Sequence, residues 1–166
     1  MAHIIDFTEL EVTLLDAINN VASFYIDAKE VFELLMITGC RPLEIMQIER
    51  WHDSVGTNVT LDAAKGNQIR IISKAILPAY FKSAITNQVN PFPSLSYVRF
   101  RYAFLHTYAY PLARIGNKQV ALYLFRHYQF KKLHNLGQTD AQIKSYMGEN
   151  SLAVTMGYIY GDVWSE

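Results

Sequence analysis

The sequence predicts a mainly α-helical domain that carries one small antiparallel β-sheet (an α+β fold). Helical periodicities with recognisable caps cover most of the chain, whereas residues 56–73 are rich in β-branched side chains. The composition, 51% hydrophobic and 18% charged over 166 residues, is typical of a compact globular chain with a substantial core. We therefore expect a single domain spanning residues 1–166.

Capping signals divide the first third of the chain into three helices. A capping box that begins at Thr8 predicts the first helix, whose apolar residues recur on one stripe. A similar box at Asp27 predicts a second helix, and Gly39 stands at a suitable position for its C-terminal cap. Pro42 suits the first turn of a short third helix, because its missing N–H needs no partner there.

The character of the sequence changes after residue 55 and later returns to helix. β-branched residues flank Lys65-Gly66-Asn67, which predicts two short strands joined by a tight turn. Helical patterns then resume, and Ser151 caps the last of them. These later helices are predicted over residues 77–87, 95–114, 118–134, 139–148 and 151–160.

Charge and cysteine content restrict the setting in which the protein works. The net charge is zero, but residues 1–50 hold nine acids and three bases, whereas residues 51–166 hold six acids and twelve bases. A basic face built by the later part is compatible with a nucleic-acid partner. The single cysteine, Cys40, cannot form an internal disulfide, and no apolar run approaches the ~18 residues of a membrane span. We expect a cytoplasmic protein without a membrane partner.

Four short motifs follow one another along the chain. They are Thr38-Gly39-Cys40-Arg41-Pro42-Leu43-Glu44, Ala64-Lys65-Gly66-Asn67-Gln68-Ile69-Arg70, Tyr123-Leu124-Phe125-Arg126-His127, and a last group of Met147-Gly148-Glu149-Asn150 with Thr155 and Tyr158. Arg41 precedes Lys65 by 24 residues, Arg126 precedes Glu149 by 23, and Glu149 precedes Tyr158 by nine. In this order and spacing the chain resembles the catalytic domain of the tyrosine recombinases, the family of the phage integrases, from about residue 28 to residue 160.

The resemblance implies a fold, a reaction and a set of roles. It implies the catalytic-domain fold of that family and site-specific breaking and rejoining of DNA through a 3′-phosphotyrosyl link, as mobile elements use for integration, excision or resolution. It assigns Arg41 and Arg126 to a clamp on the scissile phosphate, Lys65 to protonation of the departing 5′ oxygen, and Tyr158 to nucleophilic attack. Two guanidiniums can hold the extra negative charge of a pentavalent phosphate through paired hydrogen bonds. Because the tyrosine link conserves the bond energy, no cofactor and no metal are expected.

Two catalytic positions depart from the family pattern. Tyr123 stands where a histidine is expected, and Glu149 stands where a second histidine or a tryptophan is usual. The Tyr123 hydroxyl can donate a hydrogen bond to a phosphate, but it is a poor base near neutral pH. The Glu149 carboxylate repels a phosphate unless it is protonated, faces the solvent or accepts the Tyr158 proton.

These departures leave alternatives open. The chain could be a degenerate, catalytically weak or inactive DNA-binding relative of a recombinase. A tyrosine at position 123 also resembles the motif of the hairpin telomere resolvases. Those enzymes share the cleavage chemistry but are generally far larger proteins. Tyr160 competes with Tyr158 as the nucleophile; side chains two residues apart on a helix point about 200° apart, and the spacing favours Tyr158.

The resemblance also implies partners. They are double-stranded DNA and further copies of the chain, as a homo-oligomer on that DNA. Because the motifs begin at residue 38, the N-terminal clamp domain that family members usually carry is expected to be absent. The tail residues Val163 and Trp164 suit either an anchor on a neighbouring protomer or packing on their own core. Candidate phosphate contacts outside the motifs are Arg99, Arg101, Lys118, Lys131 and Lys132.

Overall fold

Helices dominate the fold, as predicted. The computed structural model describes residues 3–54, 56–107, 112–115, 118–119 and 121–165, with residues 112–115, 118–119, 121 and 165 described by their backbone alone. Three short 3₁₀ turns link some of the α-helices and strands in these ranges. The α-helices are α1 Phe7–Asn20, α2 Ala28–Thr38, α3 Pro42–Met46, α4 Ala79–Asn87, α5 Tyr97–Thr107, α6 Leu124–Asn135, α7 Asp140–Tyr146 and α8 Leu152–Tyr160.

Short strands in the described residues form two antiparallel sheets, where the sequence predicted one. The strands are β1 His3–Ile5, β2 Trp51–Asp53, β3 Asn58–Asp62, β4 Ile69–Ser73, β5 Leu112–Ile115, β6 Lys118–Gln119 and β7 Val163–Ser165. Strands β2, β3 and β4 form the first sheet in that order, and the hairpin of β3 and β4 is the predicted one. The second sheet has the order β1-β7-β5-β6.

The second sheet contradicts part of the helix prediction. The helix expected over residues 95–114 ends at Thr107, residues 112–115 form β5, and the helix expected from Lys118 begins at Leu124. These strands are two to four residues long, and β5 also pairs with the distant β7, so local periodicity carries little signal for them. The tail belongs to this sheet: Ile4 of β1 pairs with Trp164, and Val163 is buried against its own chain.

The N-terminal caps of α1 and α2 differ from the predicted ones. Helix α1 begins at Phe7, and the side chain of Asp6, not Thr8, accepts a hydrogen bond from the Glu9 N–H at 2.9 Å. Asp27 precedes α2 in a left-handed conformation with φ of 69°, and its side chain makes no capping bond. Helices α7 and α8 carry the predicted caps.

Helix α6 lies between α2 and α8 and passes through the core. The residues of its first two turns are buried all round, so this helix has no amphipathic pattern there. On one side Phe32 of α2 packs against Phe125, with ring centroids 5.8 Å apart; on the other, Phe130 stacks on Tyr158 at 4.6 Å. Arg126 therefore lies in an apolar interior, where a charged side chain is stable only when it is paired.

Candidate active site

Arg41 lies at the junction of α2 and α3, where the local sequence dictates the path of the chain. Gly39 ends α2 with φ of +65°, and a Cβ at this position would lie 2.6 Å from side-chain atoms of Gln129 and Met147, so no larger residue fits. Pro42 starts α3, which favours the extended conformation observed for Arg41, with φ of −72° and ψ of 147°. The Arg41 residue is only 5% exposed and its side chain meets buried partners.

Glu44 connects Arg41 to the turn that carries Lys65. Its carboxylate accepts hydrogen bonds from the Arg41 N–H at 2.7 Å, from Arg41 Nη1 at 3.0 Å and from the Ala64 N–H at 2.8 Å. Burial works to raise the pKa of Glu44, but the guanidiniums of Arg126 and Arg41 and the main-chain N–H groups of Ala64 and Arg41 together lower that pKa below its usual value. Glu44 therefore stays ionised and fixes Arg41 relative to the turn.

The turn between β3 and β4 packs on the loop that carries Glu149. Gly66 and Asn67 have φ values of 78° and 52°, as a tight hairpin turn requires. A Cβ at Gly66 would lie 2.5 Å from the amide nitrogen of Asn150, so only glycine allows this close approach. Lys65 itself is exposed at the tip of the turn.

Arg126 is fully buried, and the ends of two helices hold its guanidinium. Nη1 donates to the Gly39 carbonyl and Nη2 donates to the Met147 carbonyl, each at 2.9 Å. These carbonyls lie at the C-terminal ends of α2 and α7, where the helix dipoles are negative. Burial, and next the like charge of Arg41, lower the pKa of Arg126.

Glu149 joins the two arginines. Its Oε2 atom lies 3.0 Å from Arg41 Nη2 and 3.5 Å from Arg126 Nη2, and its Oε1 atom accepts the Asn150 N–H at 3.1 Å. Glu149 is 6% exposed, so the interpretation in which it faces the solvent is wrong. Because one oxygen contacts both guanidiniums, Arg41 and Arg126 share a single anion position.

Tyr158 lies next to Arg126. The Arg126 Cζ atom is 5.6 Å from the centroid of the Tyr158 ring, and His127 meets this ring edge-on at 4.9 Å. Burial raises the pKa of Tyr158, while the positive charges of Arg126 and Arg41 oppose that rise. The phenol is thus neutral near pH 7 and lies in the electric field of both guanidiniums, which favours loss of its proton during a reaction.

Tyr160, the competing nucleophile, points elsewhere. It is 55% exposed, and its hydroxyl donates to the Asp140 carboxylate at 3.3 Å. Its ring also packs against His134, with centroids 5.3 Å apart. Of the two tyrosines on α8, Tyr158 is the one beside the arginines.

A small cavity of about 80 Å³ lies beside Arg41, and Lys65 and Tyr123 also line it. Tyr123 is half-buried at the start of α6. Tyr97 of α5 lines the same cavity; it is one of 11 tyrosines and lies outside the four motifs, so no sequence signal singled it out. The predicted catalytic residues therefore cluster around Arg41, and their roles stay predictions.

Three of the predicted phosphate-contacting cations are exposed, two on α5 and one on α6. Arg101 is exposed on α5 and borders a surface pocket together with Tyr97, which puts it close to the cavity. Arg99 is exposed and donates to the Ser94 carbonyl at 3.0 Å. Lys132 is exposed on α6, with Nζ 5.9 Å from the centroid of the Tyr128 ring. Arg99, Arg101 and Lys132 thus remain available for predicted phosphate contacts.

The structure gives Lys131 a different role from the predicted one. Its ammonium donates to the carbonyls of Ile159 and Gly161, both at 2.8 Å, so it stabilises the end of α8 instead of standing free at the surface. Burial lowers the pKa of Lys131, and the charge of Asp162 opposes this. The Lys118 side chain lies outside the described residues.

Arg70 is a further buried guanidinium; it ends the second motif, and the sequence analysis assigned it no role. Its Nε donates to the Tyr146 carbonyl at 2.7 Å and its Nη2 to the Thr38 carbonyl at 2.8 Å. Nη1 lies 3.3 Å from Sγ of the buried Cys40, and the guanidinium stacks 5.1 Å from the Tyr146 ring centroid. Arg70 therefore braces the helix ends on which the site is built.

The described part of the chain offers neither a metal centre nor a membrane span. It contains no group of three or more His, Cys, Asp or Glu side chains suited to a metal ion. Among its helices, none combines the length and the hydrophobicity that crossing a bilayer needs. The charged groups around Arg41 are arginines, glutamates and an exposed lysine.

Two solved structures share this fold. Both are of the XerH site-specific recombinase, one bound to the difH substrate in a pre-cleavage complex and one bound to a palindromic difH substrate in a post-cleavage complex. The TM-scores are 0.57 and 0.58, at 16% and 17% sequence identity over 95% and 96% of this chain. The chain spans half of the length of those recombinase chains, 50% in each case. No protein-family model and no curated protein sequence matches it.

Proposed function

We propose that this domain, which has the fold of the tyrosine recombinase catalytic domains, cleaves and rejoins double-stranded DNA through a 3′-phosphotyrosyl link on Tyr158. The observation that carries the proposal is the meeting of Arg41 and Arg126 at one anion position, with the Tyr158 ring beside Arg126. These residues are far apart in the sequence, yet their charged and phenolic groups are neighbours. The DNA complexes of the XerH recombinase support DNA as the partner.

In the proposed reaction, the phenolic oxygen of Tyr158 forms a bond to phosphorus and the P–O5′ bond breaks. Lys65 gives a proton to the departing 5′ oxygen, and the phenolic proton passes to water. Arg41 and Arg126 hold the non-bridging oxygens, where a preorganised donor typically lowers the barrier by about 3 kcal/mol. Tyr123, which lines the cavity with Arg41 and Lys65, donates a hydrogen bond to the same phosphate.

Rejoining reverses these steps. A 5′ hydroxyl attacks the phosphotyrosine, Lys65 accepts its proton, and Tyr158 leaves as a phenol after it takes a proton from water. The bond energy stays in the covalent link throughout. Since exchange between two duplexes needs two active sites, we expect the chain to act as a homo-oligomer on DNA.

Nicked suicide duplexes test this proposal. A pool of nicked duplexes of randomised sequence supplies the unknown target, and denaturing gels with peptide mass spectrometry detect the covalent adduct. The wild type is expected to retain DNA on Tyr158, Tyr158→Phe to retain none, and Tyr160→Phe to match the wild type. An adduct that persists in Tyr158→Phe and is lost in Tyr160→Phe would show that Tyr160, and not Tyr158, is the nucleophile.

A non-catalytic DNA-binding relative is the second candidate. It is favoured by the burial of Arg126 and by the position of Glu149, whose carboxylate already fills the anion position. Such a protein binds duplex DNA in a salt-dependent manner and forms no adduct on any nicked duplex. The same experiment therefore separates the two candidates.

A further inference from the structure

We propose that Glu149 is a resident anion of the Arg41–Arg126 site, and that a DNA phosphate enters the site by displacing the Glu149 carboxylate. The identity of the incoming anion rests on the proposed function, whereas the site is defined by contacts within this chain. Glu149 Oε2 lies 3.0 Å from Arg41 Nη2 and 3.5 Å from Arg126 Nη2. A carboxylate oxygen thus occupies the position at which the two guanidiniums would hold a phosphate oxygen.

Burial makes displacement necessary. Arg126 has no exposed surface, Arg41 is 5% exposed, and Glu149 lies between their guanidiniums. A ligand that arrives from solvent can contact both arginines only after the carboxylate has left. Within the described residues Arg126 Nε has no hydrogen-bond acceptor, so this guanidinium keeps an unused donor in the present state.

Charge balance favours replacement over addition. The ion-paired groups Arg41, Arg126, Glu44 and Glu149 carry two positive and two negative charges, while Arg70 donates to main-chain carbonyls nearby. A phosphate added beside Glu149 would place two anions at the same pair of guanidiniums, where they repel each other. A phosphate diester that replaces the Glu149 carboxylate avoids this repulsion and keeps the local charge unchanged.

Glu149 is the carboxylate that can leave. Glu44 accepts hydrogen bonds from two main-chain N–H groups, those of Arg41 and Ala64, as well as from the Arg41 side chain. Glu149 accepts one main-chain N–H, that of its neighbour Asn150. Glu44 is therefore anchored to the backbone of two elements, whereas Glu149 depends mainly on the arginines that a phosphate would take over.

The Glu149 backbone is fixed, so displacement is a rotation of its side chain. Gly148 has φ of +64°, and a Cβ there would lie 2.5 Å from Cγ of the buried Arg70, which packs the loop tightly. A tethered carboxylate competes at a high effective concentration. Free phosphate is therefore a weak competitor, whereas duplex DNA adds contacts elsewhere on the surface. The consequence is that the arginine clamp forms around a phosphate only when DNA is bound.

Titration of inorganic phosphate into the full chain, followed by calorimetry, tests the displacement directly. Glu149→Gln keeps the side-chain shape and removes the charge, and is expected to bind phosphate about tenfold more tightly than the wild type, or better. Glu33→Gln removes an exposed carboxylate on α2, serves as the matched control and is expected to behave as the wild type. Adding Arg41→Lys to Glu149→Gln is expected to abolish the gain.

A second variant guards against misfolding of the first. Glu149→Asp keeps the charge but shortens the side chain by one methylene, so its phosphate affinity is expected to lie between those of the wild type and Glu149→Gln. Equal phosphate affinities in the wild type and in the folded Glu149 variants would overturn the proposal.

Phosphate binding can be measured without DNA cleavage. The displacement of Glu149 and the cleavage of DNA by Tyr158 can therefore be contradicted independently. A Tyr158 adduct in the wild type, combined with equal phosphate affinities, overturns the role of Glu149 and leaves the recombinase function in place. Tighter phosphate binding by Glu149→Gln, with no adduct in any variant, retains the displaceable anion and removes the strand-cleavage function.

Discussion

Arg70 and Arg126 are two fully buried guanidiniums that hold the ends of the same two helices. Arg70 donates to the carbonyls of Thr38 and Tyr146, and Arg126 donates to the carbonyl of the next residue in each case. Both lie against aromatic rings, Arg70 on Tyr146 and Arg126 on Phe130. By burial and main-chain contacts alone, the two arginines are nearly equivalent.

The two arginines differ in whether every guanidinium nitrogen has a hydrogen-bond partner and in whether a carboxylate lies beside the guanidinium. Each nitrogen of the Arg70 guanidinium has a partner in the protein, including Sγ of Cys40. Arg126 has a Nε without an acceptor among the described residues, and the Glu149 carboxylate lies 3.5 Å from its Nη2. Burial of an arginine therefore does not by itself mark a site; Arg126 is distinguished by its unpaired Nε and by the carboxylate beside its Nη2.

The largest effect is expected from exchanging each arginine for lysine, which keeps the charge and loses the planar fork. Arg126→Lys is expected to slow adduct formation on a nicked duplex by about 10²–10³-fold, since it removes a donor aimed at the phosphate. Arg70→Lys is expected to change this rate far less, because its donors face main-chain carbonyls. Single-turnover rates of the folded variants measure both. Equal losses would erase the distinction between the arginines.

The free energy of unfolding is expected to depend strongly on Arg70. Arg70→Met leaves the carbonyls of Thr38 and Tyr146 without their donor in a buried region, and should lower the free energy of unfolding by roughly 3 kcal/mol. Urea denaturation measures this loss. Arg101→Met, at an exposed position, is the matched control and should stay within about 0.5 kcal/mol of the wild type. A loss as small for Arg70→Met as for the control would contradict the bracing role.

His127, adjacent to Arg126 on α6, adds a pH-dependent effect of moderate size. Burial, and next the charge of Lys131, lower the pKa of His127 to about 3. As the pH falls, the unfolded state therefore takes up the proton first. The free energy of unfolding should decrease between about pH 6.5 and about pH 3, by up to about 1.4 kcal/mol per pH unit. Unfolding of the wild type and of His127→Gln at several pH values isolates this slope, and parallel curves would rule the contribution out.

The smallest expected effect concerns exposed cations. Arg101 borders a pocket with Tyr97, close to the cavity beside Arg41, whereas Lys132 lies over Tyr128. Arg101→Gln is expected to reduce the slope of log affinity for duplex DNA against log salt by about 0.9, the value for one lost phosphate contact. Lys132→Gln is expected to leave the slope unchanged. Fluorescence anisotropy at several salt concentrations compares them, and the reverse result would place the DNA on the other side.

The parts of the site that lie at helix and turn boundaries could be predicted from the sequence. Gly39 and Pro42 fix the chain around Arg41, and the turn with Lys65 contains the glycine that its conformation requires. Such positions carry signals in residue type and spacing, because backbone conformation restricts which residues fit.

The buried charges could not be predicted in the same way. In β4 the isoleucines at positions 69 and 71 are exposed and Arg70 is buried. A strand alternates its faces, but its pattern alone does not say which face is inside when both carry isoleucine. Likewise, the sequence left open whether Glu149 faces solvent, and only the folded arrangement of two arginines explains its burial.

Long-range partners explain the remaining differences. The Lys131 ammonium donates to carbonyls at the end of α8, and β1 pairs with β7 across most of the chain. These contacts depend on which segments meet in three dimensions, whereas periodicity and capping report on neighbours in the sequence. The tail residue Trp164, for example, finds its partner at Ile4.

The position of β7 makes residues 163–165 more important to the four-stranded sheet than residues 3–5. It lies between β1 and β5 in the four-stranded sheet. Removing residues 163–165 would therefore leave β1 without a partner and β5 paired with β6 alone, while removing residues 3–5 would take away an edge strand. Proteolytic removal of residues 163–165 would thus destabilise the segment that leads into α1, more than a hundred and fifty residues away along the chain.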